Sequence, residues 1–247
     1  MASNSTSRKA SPLPDERAAP STYVTYLRID ELLDLQKPIA ERLHADELTF
    51  QIVHQTFELW WKATVEFFAR ASERLAADDP AGALPLLRRA VSAQEVNLRA
   101  LRQLELVAPV DFLTIRQGLG DGSGADSPGF RANLRAAPSL WDAYSAALAR
   151  ADVTLLKLYQ DPPAHLALYE CAEALVDFDE IFHLFRAMHL KLAQRNLGLR
   201  AIGTGGTPME MLERTLGDVL FLPLWETRDE LLALAGDSPT DATGHSA

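Results

Sequence analysis

Apolar residues along this chain recur at steps of three and four, and no run alternates at a step of two. That period predicts helices and no strands. The pattern starts where Asp30 can cap a helix carrying Leu32, Leu33 and Leu35, with Tyr23 and Tyr26 just ahead and Pro38 closing it. A helix is predicted up to about Ala76. Asp78, Asp79 and Pro80 then open another through Leu84, Leu87, Val91, Val96, Leu98 and Leu101, which Pro109 breaks. The glycines of residues 111–124 mark a loop. A further stretch from about Pro138 carries Leu140, Tyr144, Leu148, Val153 and Leu156, until Asp161-Pro162-Pro163 interrupts it. The longest periodic run covers 164–196, with Gly198 as its stop. Leu212, Leu216, Val219, Leu220 and Leu224 mark a last helix or two. Residues 1–21 and 236–247 read as disordered ends, which leaves 22–235 as a single all-α domain, a bundle of helices packed side by side.

One stretch stands apart. In residues 44–62, Phe50, His54, Phe57 and Trp61 fall on one helical face, an aromatic stripe with an imidazole in its middle. Such a face suits a pocket for a flat ligand, and it equally suits a core helix whose histidine finds a partner. Glu47, Glu58 and Lys62 lie off the stripe, where they can reach water or partners.

Composition narrows the classes. With 24 basic against 34 acidic residues and no Lys/Arg cluster, nucleic-acid binding is discounted. No apolar run has the roughly 18 to 20 residues a membrane span needs, and residues 1–21 lack the apolar core of a signal peptide. The single cysteine, Cys171, rules out an intrachain disulfide and fits a reducing cytoplasm. In a helical run Cys171 reads as a small core residue, with a haem thiolate as the alternative.

Order and wording say more than spacing. The segment His44-x-Asp46-Glu47-x-x-Phe50-x-x-x-His54-Gln55-x-x-Glu58-Leu59-Trp60-x-Lys62 resembles the distal-side signature of the tryptophan 2,3-dioxygenase family, haem enzymes that open the indole ring of L-tryptophan with O2. Phe112-x-x-x-Arg116-x-x-Leu119-Gly120-x-x-Ser123-Gly124 resembles a second family pattern, although Ala125 stands where the family has Phe. His189 with Arg195 and Gly198 is similar to the proximal His-x-x-x-x-x-Arg-x-x-Gly, and Gly203-Thr204-Gly205-Gly206-Thr207 to the family's Gly-Thr-Gly-Gly-Ser loop. The Tyr23-x-x-Tyr26-Leu27-x-Ile29-Asp30 segment resembles the family's N-terminal arm, which reaches a neighbouring subunit's active site. The resemblance covers 22–131 and 178–230; between Arg116 and His189 the chain is several tens of residues shorter than common members.

The resemblance implies an all-α bundle enclosing a b-type haem, and a cytoplasmic homotetramer. His189 would hold the iron, with His183 as the alternative, and His54 would act on the substrate's side. Arg116 and Thr204 would clamp the carboxylate, Phe50 and Phe112 would wall the indole, and Ser123 and Gly124 would sit near haem and the amine. Tyr23 and Tyr26 would cover the substrate from another subunit. The expected reaction is oxidation of L-tryptophan or a close derivative to an N-formylkynurenine-type product in tryptophan catabolism. A single oxygen insertion, giving an oxindole or hydroxylated aromatic amino acid in secondary metabolism, is the rival. A non-catalytic haem-binding bundle, needing His189 but not Arg116 or Thr204, is the alternative of another class.

Overall fold

A computed structural model describes residues 21–120, 122–199 and 213–236, and among these every regular element is helical. The chain divides into two compact units, Met1–Glu41 and Arg42–Ala247. In the first, helix α1 (Thr22–Leu27) is capped by the Ser21 hydroxyl, which accepts the Val24 N–H at 3.3 Å. Arg28 takes a left-handed conformation (φ 52°) and hands the chain to α2 (Ile29–Leu33). Asp30 is therefore not the cap of the helix carrying Leu32 and Leu33: it lies inside the first turn of α2, whose N-cap is Arg28 with no side-chain cap bond; Tyr23 and Tyr26 belong to α1, and Leu35 falls beyond α2. A 3-10 turn, Ile39–Glu41, follows Pro38.

The second unit is built on four long helices: α3 (Glu47–Ala76), α4 (Pro80–Leu101), α6 (Pro128–Arg150) and α8 (Leu166–Leu197). Their ends follow cap chemistry. Asp79 accepts the Gly82 N–H at 2.8 Å ahead of Pro80, and α8 stops at Gly198 (φ 92°). Among the described residues three shorter helices join them: α5 (Pro109–Gln117), α7 (Leu155–Gln160) and α9 (Leu222–Leu234). Two expectations change. Pro109 starts a helix where it was expected only to end one, so Phe112 and Arg116 are helical and the loop begins at Gly118. Helix α6 begins at Ser127-Pro128 and runs through Pro138, whose exposed ring points to solvent. Ser127 supplies the cap, accepting the Phe130 N–H at 3.1 Å.

Helix α3 packs between α4 and α6, and α4 also packs along α8. Their shared core includes Phe68, Leu87, Tyr144, Leu175, Phe178 and Phe182. A second, smaller cluster gathers Val53, Phe57, Trp61, Leu101, Leu104, Phe185 and Leu192. Each fully buried phenyl contributes roughly 1.5 to 3 kcal/mol, so the α3 stripe stabilises the bundle before it does any chemistry. Glu47, expected to reach water or a partner, is buried and accepts the Leu43 N–H at 2.7 Å. Cys171 is buried too; its thiol donates to the Pro80 carbonyl at 3.3 Å, and burial pushes it up to about 12. Buried in the main core with its thiol on a backbone carbonyl, Cys171 is a core residue.

The carboxylate of Asp179, 1% exposed on α8, joins that helix to the C-terminal segment. It accepts the N–H of Leu220 (3.0 and 2.9 Å), the N–H of Phe221 (3.2 Å) and the indole N–H of Trp225 (2.9 Å). Asp179→Ala strands three donors, at about 1 to 3 kcal/mol for each that water does not reach. A loss on the order of 3 kcal/mol should lower the thermal midpoint by roughly 6 to 12 °C, read by circular dichroism. A midpoint within about 2 °C of wild type would contradict the clasp.

Candidate active site

The α3 stripe forms as its spacing predicts. The rings of Phe50 and His54 lie 4.1 Å apart, His54 and Phe57 5.5 Å, and Phe57 and Trp61 5.6 Å. Helix α8 meets the stripe edge-on. Phe185 stands 5.1 Å from Phe57 and 5.4 Å from Trp61, and stacks toward His189 at 6.3 Å. A continuous path of rings thus runs from His54 to His189.

Each imidazole is set in a definite state. The Nδ1 of His54 lies 2.7 Å from the Phe50 carbonyl, one turn back. A carbonyl only accepts, so Nδ1 carries the proton and Nε2 keeps its lone pair. Burial holds the His54 imidazole below its ordinary value, against the opposing pull of the Phe50 carbonyl and the Glu58 charge. His189 is pushed further, down to about 4, by burial first and by His54 second. Among the described residues neither ring nitrogen of His189 has a hydrogen-bond partner. A neutral imidazole in apolar surroundings with its nitrogens unengaged is suited to bind a metal.

The remaining wall comes from α5 and the turn after it. Helix α5 packs against α8 and brings the Phe112 ring to 6.2 Å from Phe50. Arg116, one turn on from Phe112, is half-buried. Ser123 closes a capping box with Asp126, its N–H bonding Oδ2 at 2.9 Å and its hydroxyl the same oxygen at 3.2 Å. Gly124 lies over the edge of His189. A Cβ there would stand 3.6 Å from Cε1 and 3.8 Å from Nε2, so any longer side chain would fill the space beside the ring.

The structure thus brings together Phe50, His54 and Phe112 on one side, and His189 with Gly124 on the other. Tyr23 and Tyr26 lie in the first unit, 69% and 84% exposed. Thr204 falls outside the described residues, as does the rest of its Gly-rich loop. His183 is half-buried six residues before His189, so it points well round the helix from it.

Sequence reasoning missed two junctions. Glu58, expected to reach water or a partner that the sequence does not name, accepts from Ser127 and Gly129 at the start of α6. The only local signal was Ser-Pro-Gly at 127–129, which reads as a helix start. His44 bridges α3 and α5: its Nε2 is 3.5 Å from an Asp111 oxygen, and its Nδ1 accepts the Asp46 N–H at 3.3 Å. With Asp46 these groups lie within 4.8 Å of one another, but with Nδ1 engaged they serve as a strap at the mouth of α5.

Comparison with known proteins settles the relationship. A model of the tryptophan 2,3-dioxygenase family matches residues 9–134. The tryptophan 2,3-dioxygenase of Caulobacter vibrioides is 33% identical, with 85% of this chain and 98% of that protein aligned. This chain belongs to the tryptophan 2,3-dioxygenase family. The enzymes of that name from Saccharopolyspora erythraea and Rhodococcus jostii are 31% and 30% identical, each over 85% of this chain and 92% of the relative. The alignment with the Caulobacter protein spans 261 positions, more than the 247 residues of the whole chain. Only 85% of this chain is aligned, so several tens of those positions have no counterpart here.

The electrostatics make a pH prediction. In haem-free protein, the His189 imidazole should stay neutral down to about pH 4 by NMR titration. An unfolded histidine takes its proton near the ordinary 6.5, so between these values the unfolded chain binds more protons. This contribution to stability is complete above about pH 6.5 and is lost as pH falls toward 4. A folded-state titration of His189 near 6.5 would contradict the apolar enclosure.

Proposed function

We propose that this chain is a haem-dependent oxygenase that opens the indole ring of L-tryptophan, or a close derivative, with O2 to give an N-formylkynurenine-type product. One observation carries the reading: in a chain of this family, two neutral imidazoles lie at the ends of one buried path of aromatic rings. The residues fit haem b. His189 offers a neutral nitrogen, Phe57, Phe185 and Leu192 supply an apolar setting, and Gly124 leaves space beside the ring.

Bound haem would activate O2 and oxidise the indole C2–C3 bond, and both atoms of O2 enter the product. The chain's own part is binding, orientation and dryness. His54, held as the Nδ1–H form, presents Nε2 as an acceptor for the indole N–H and fixes the ring's angle. Phe50 and Phe112 wall the indole. Arg116 forks onto the carboxylate, joined by Thr204, and Ser123 and Gly124 lie toward the amine. The exposure of Tyr23 and Tyr26 supports a site completed by a neighbouring subunit, in a cytoplasmic homotetramer. No described helix is long and apolar enough to cross a membrane. Anaerobic reduction followed by tryptophan and O2, with product mass read out, tests the reaction. A gain of two oxygen atoms supports it, and a gain of one would replace it with a hydroxylase.

Two variants divide the imidazoles. His189→Ala should abolish haem uptake or its normal absorption spectrum, whereas His54→Ala should keep haem and lose roughly 10²-fold or more in turnover. Haem lost from His183→Ala and kept by His189→Ala would reassign the ligand.

Substrate choice tests Arg116. Truncating one partner of a buried charge-assisted pair costs on the order of 2 to 4 kcal/mol. Indoles without a carboxylate should therefore bind roughly 30- to 1000-fold worse than tryptophan. Arg116→Ala should erase that preference and Arg116→Lys restore little of it. If 3-methylindole is turned over as well as tryptophan by wild type, with Arg116→Ala changing neither, the carboxylate clamp is wrong.

A further inference from the structure

Glu58 stands one turn beyond His54 on α3, yet its carboxylate caps a different helix. One oxygen accepts the Ser127 hydroxyl, and the other accepts the Gly129 N–H at 2.8 Å. Both donors are in the first residues of α6, where the helix dipole also favours a negative charge. The approach is too close for a side chain at position 129. A Cβ on Gly129 would fall 2.5 Å from Glu58 Oε2 and 3.0 Å from the Trp61 Cβ. Asn133, fully buried one turn further along α6, donates through Nδ2 to the carbonyls of Trp61 (3.2 Å) and Gly129 (2.9 Å). Three side chains, Glu58, Ser127 and Asn133, thus fix the start of α6 to the middle of α3.

What lies immediately ahead of this junction is the site. The 3-10 turn Gly124–Asp126 is stiffened internally by the Ser123–Asp126 capping box and by Arg131, which holds Asp126 at 3.3 Å. A short stiff turn fixed at its downstream end has little freedom at its upstream end. That upstream end is Gly124, on the edge of His189. We propose that Glu58 is a positioning residue of the active site: through Ser127 and Gly129 it sets the Ser123–Gly124 turn against His189, in register with the helix that carries His54. This assignment rests on the functional reading above. Glu58 acts through the turn and not by touching substrate.

The test uses the full chain with Glu58→Ala, Glu58→Gln and Ser127→Ala. In haem-free protein, Glu58→Ala should speed amide hydrogen exchange of residues 123–131 about tenfold or more, with the middle of α8 unchanged. With haem bound at wild-type content, the same variant should shift the ferric haem absorption and electron paramagnetic resonance spectra. It should also raise KM for tryptophan by about tenfold, with a smaller fall in kcat. Glu58→Gln should recover most of both, because its amide can donate to the Ser127 oxygen and accept from Gly129. Ser127→Ala should move the same readouts in the same direction, and it carries the test if Glu58→Ala fails to fold. Faster exchange with unchanged haem spectra and KM would reduce Glu58 to a helix cap and overturn the positioning role. Unchanged exchange would show that the clasp does not hold the turn, with the same consequence. Wild-type protein that takes up no haem would instead remove the functional reading itself, and the positioning role with it.

Discussion

Two half-buried imidazoles set at the ends of one path of aromatic rings resist being charged, and the arrangement of this site follows from that constraint. Desolvation alone disfavours each imidazolium, and each would add to the other's cost. His189 carries the larger burden, with its ring against Phe185 and no opposing acceptor among the described residues. His54 has compensation, from the Phe50 carbonyl and from Glu58. The asymmetry divides the labour. Under the proposed function, His189, with no hydrogen bond among the described residues, serves as the Lewis base for a metal, and His54, pinned through Nδ1, serves as the oriented acceptor. Neither role would survive protonation, so the apolar lining serves chemistry as well as stability.

Keeping these rings in place requires a scaffold that does not shift. Helices α3 and α8 meet through interdigitated aromatic rings, with Phe57 and Phe185 at 89° to each other. Edge-to-face contacts of this kind favour one geometry over sliding alternatives. Polar bonds then fix what aromatic packing leaves free. Gln94 accepts the Trp61 indole N–H at 3.0 Å, His44 straps α5 to α3, and Asp179 secures the segment after the Gly-rich loop. Each is a bond between residues far apart in sequence, made to or through a buried or half-buried group, where its geometry is well determined.

That distinction also explains what could be read from the sequence. The bounds of α3 and α8 were legible because their periodicity is long and their terminators are strong: Asp79-Pro80 on one side, Gly198 on the other. The shared face of Phe50, His54, Phe57 and Trp61 followed from helical geometry alone. Read by pattern alone, the glycines from 118 onward draw Phe112 and Arg116 into a loop and outweigh the proline at 109, which opens a helix as readily as it ends one. The start of α6 was set ten residues late for the same reason: Pro138 looked like a boundary, while the Ser127 cap that matters needed Glu58, 69 residues away, to complete it. The state of the imidazoles was not legible at all. It depends on burial and on a carbonyl's direction, which no pattern of residue types records.

The shortness of the chain bears on which parts of the site can vary. The family match over 9–134 takes in His54, Phe112, Arg116, Gly124 and the whole Glu58 junction, whereas His189 lies beyond it on α8. Several tens of positions of the relative have no counterpart here, yet α3, α4, α6 and α8 still close a continuous core around Phe68, Tyr144 and Phe178. A helical bundle tolerates such loss where the missing pieces are peripheral, because each long helix keeps its own buried stripe against its neighbours. Thr204 aside, which lies outside the described residues, the groups proposed to meet the substrate's polar end and the iron sit on those central helices, on α5 and on one clasped turn. The proposed ring-facing wall is where the resemblance breaks, with Ala125 at the position of a family phenylalanine. Loss of a phenyl opens space without altering charge. Selectivity for the amino-acid end can therefore persist while tolerance of substituents on the indole widens.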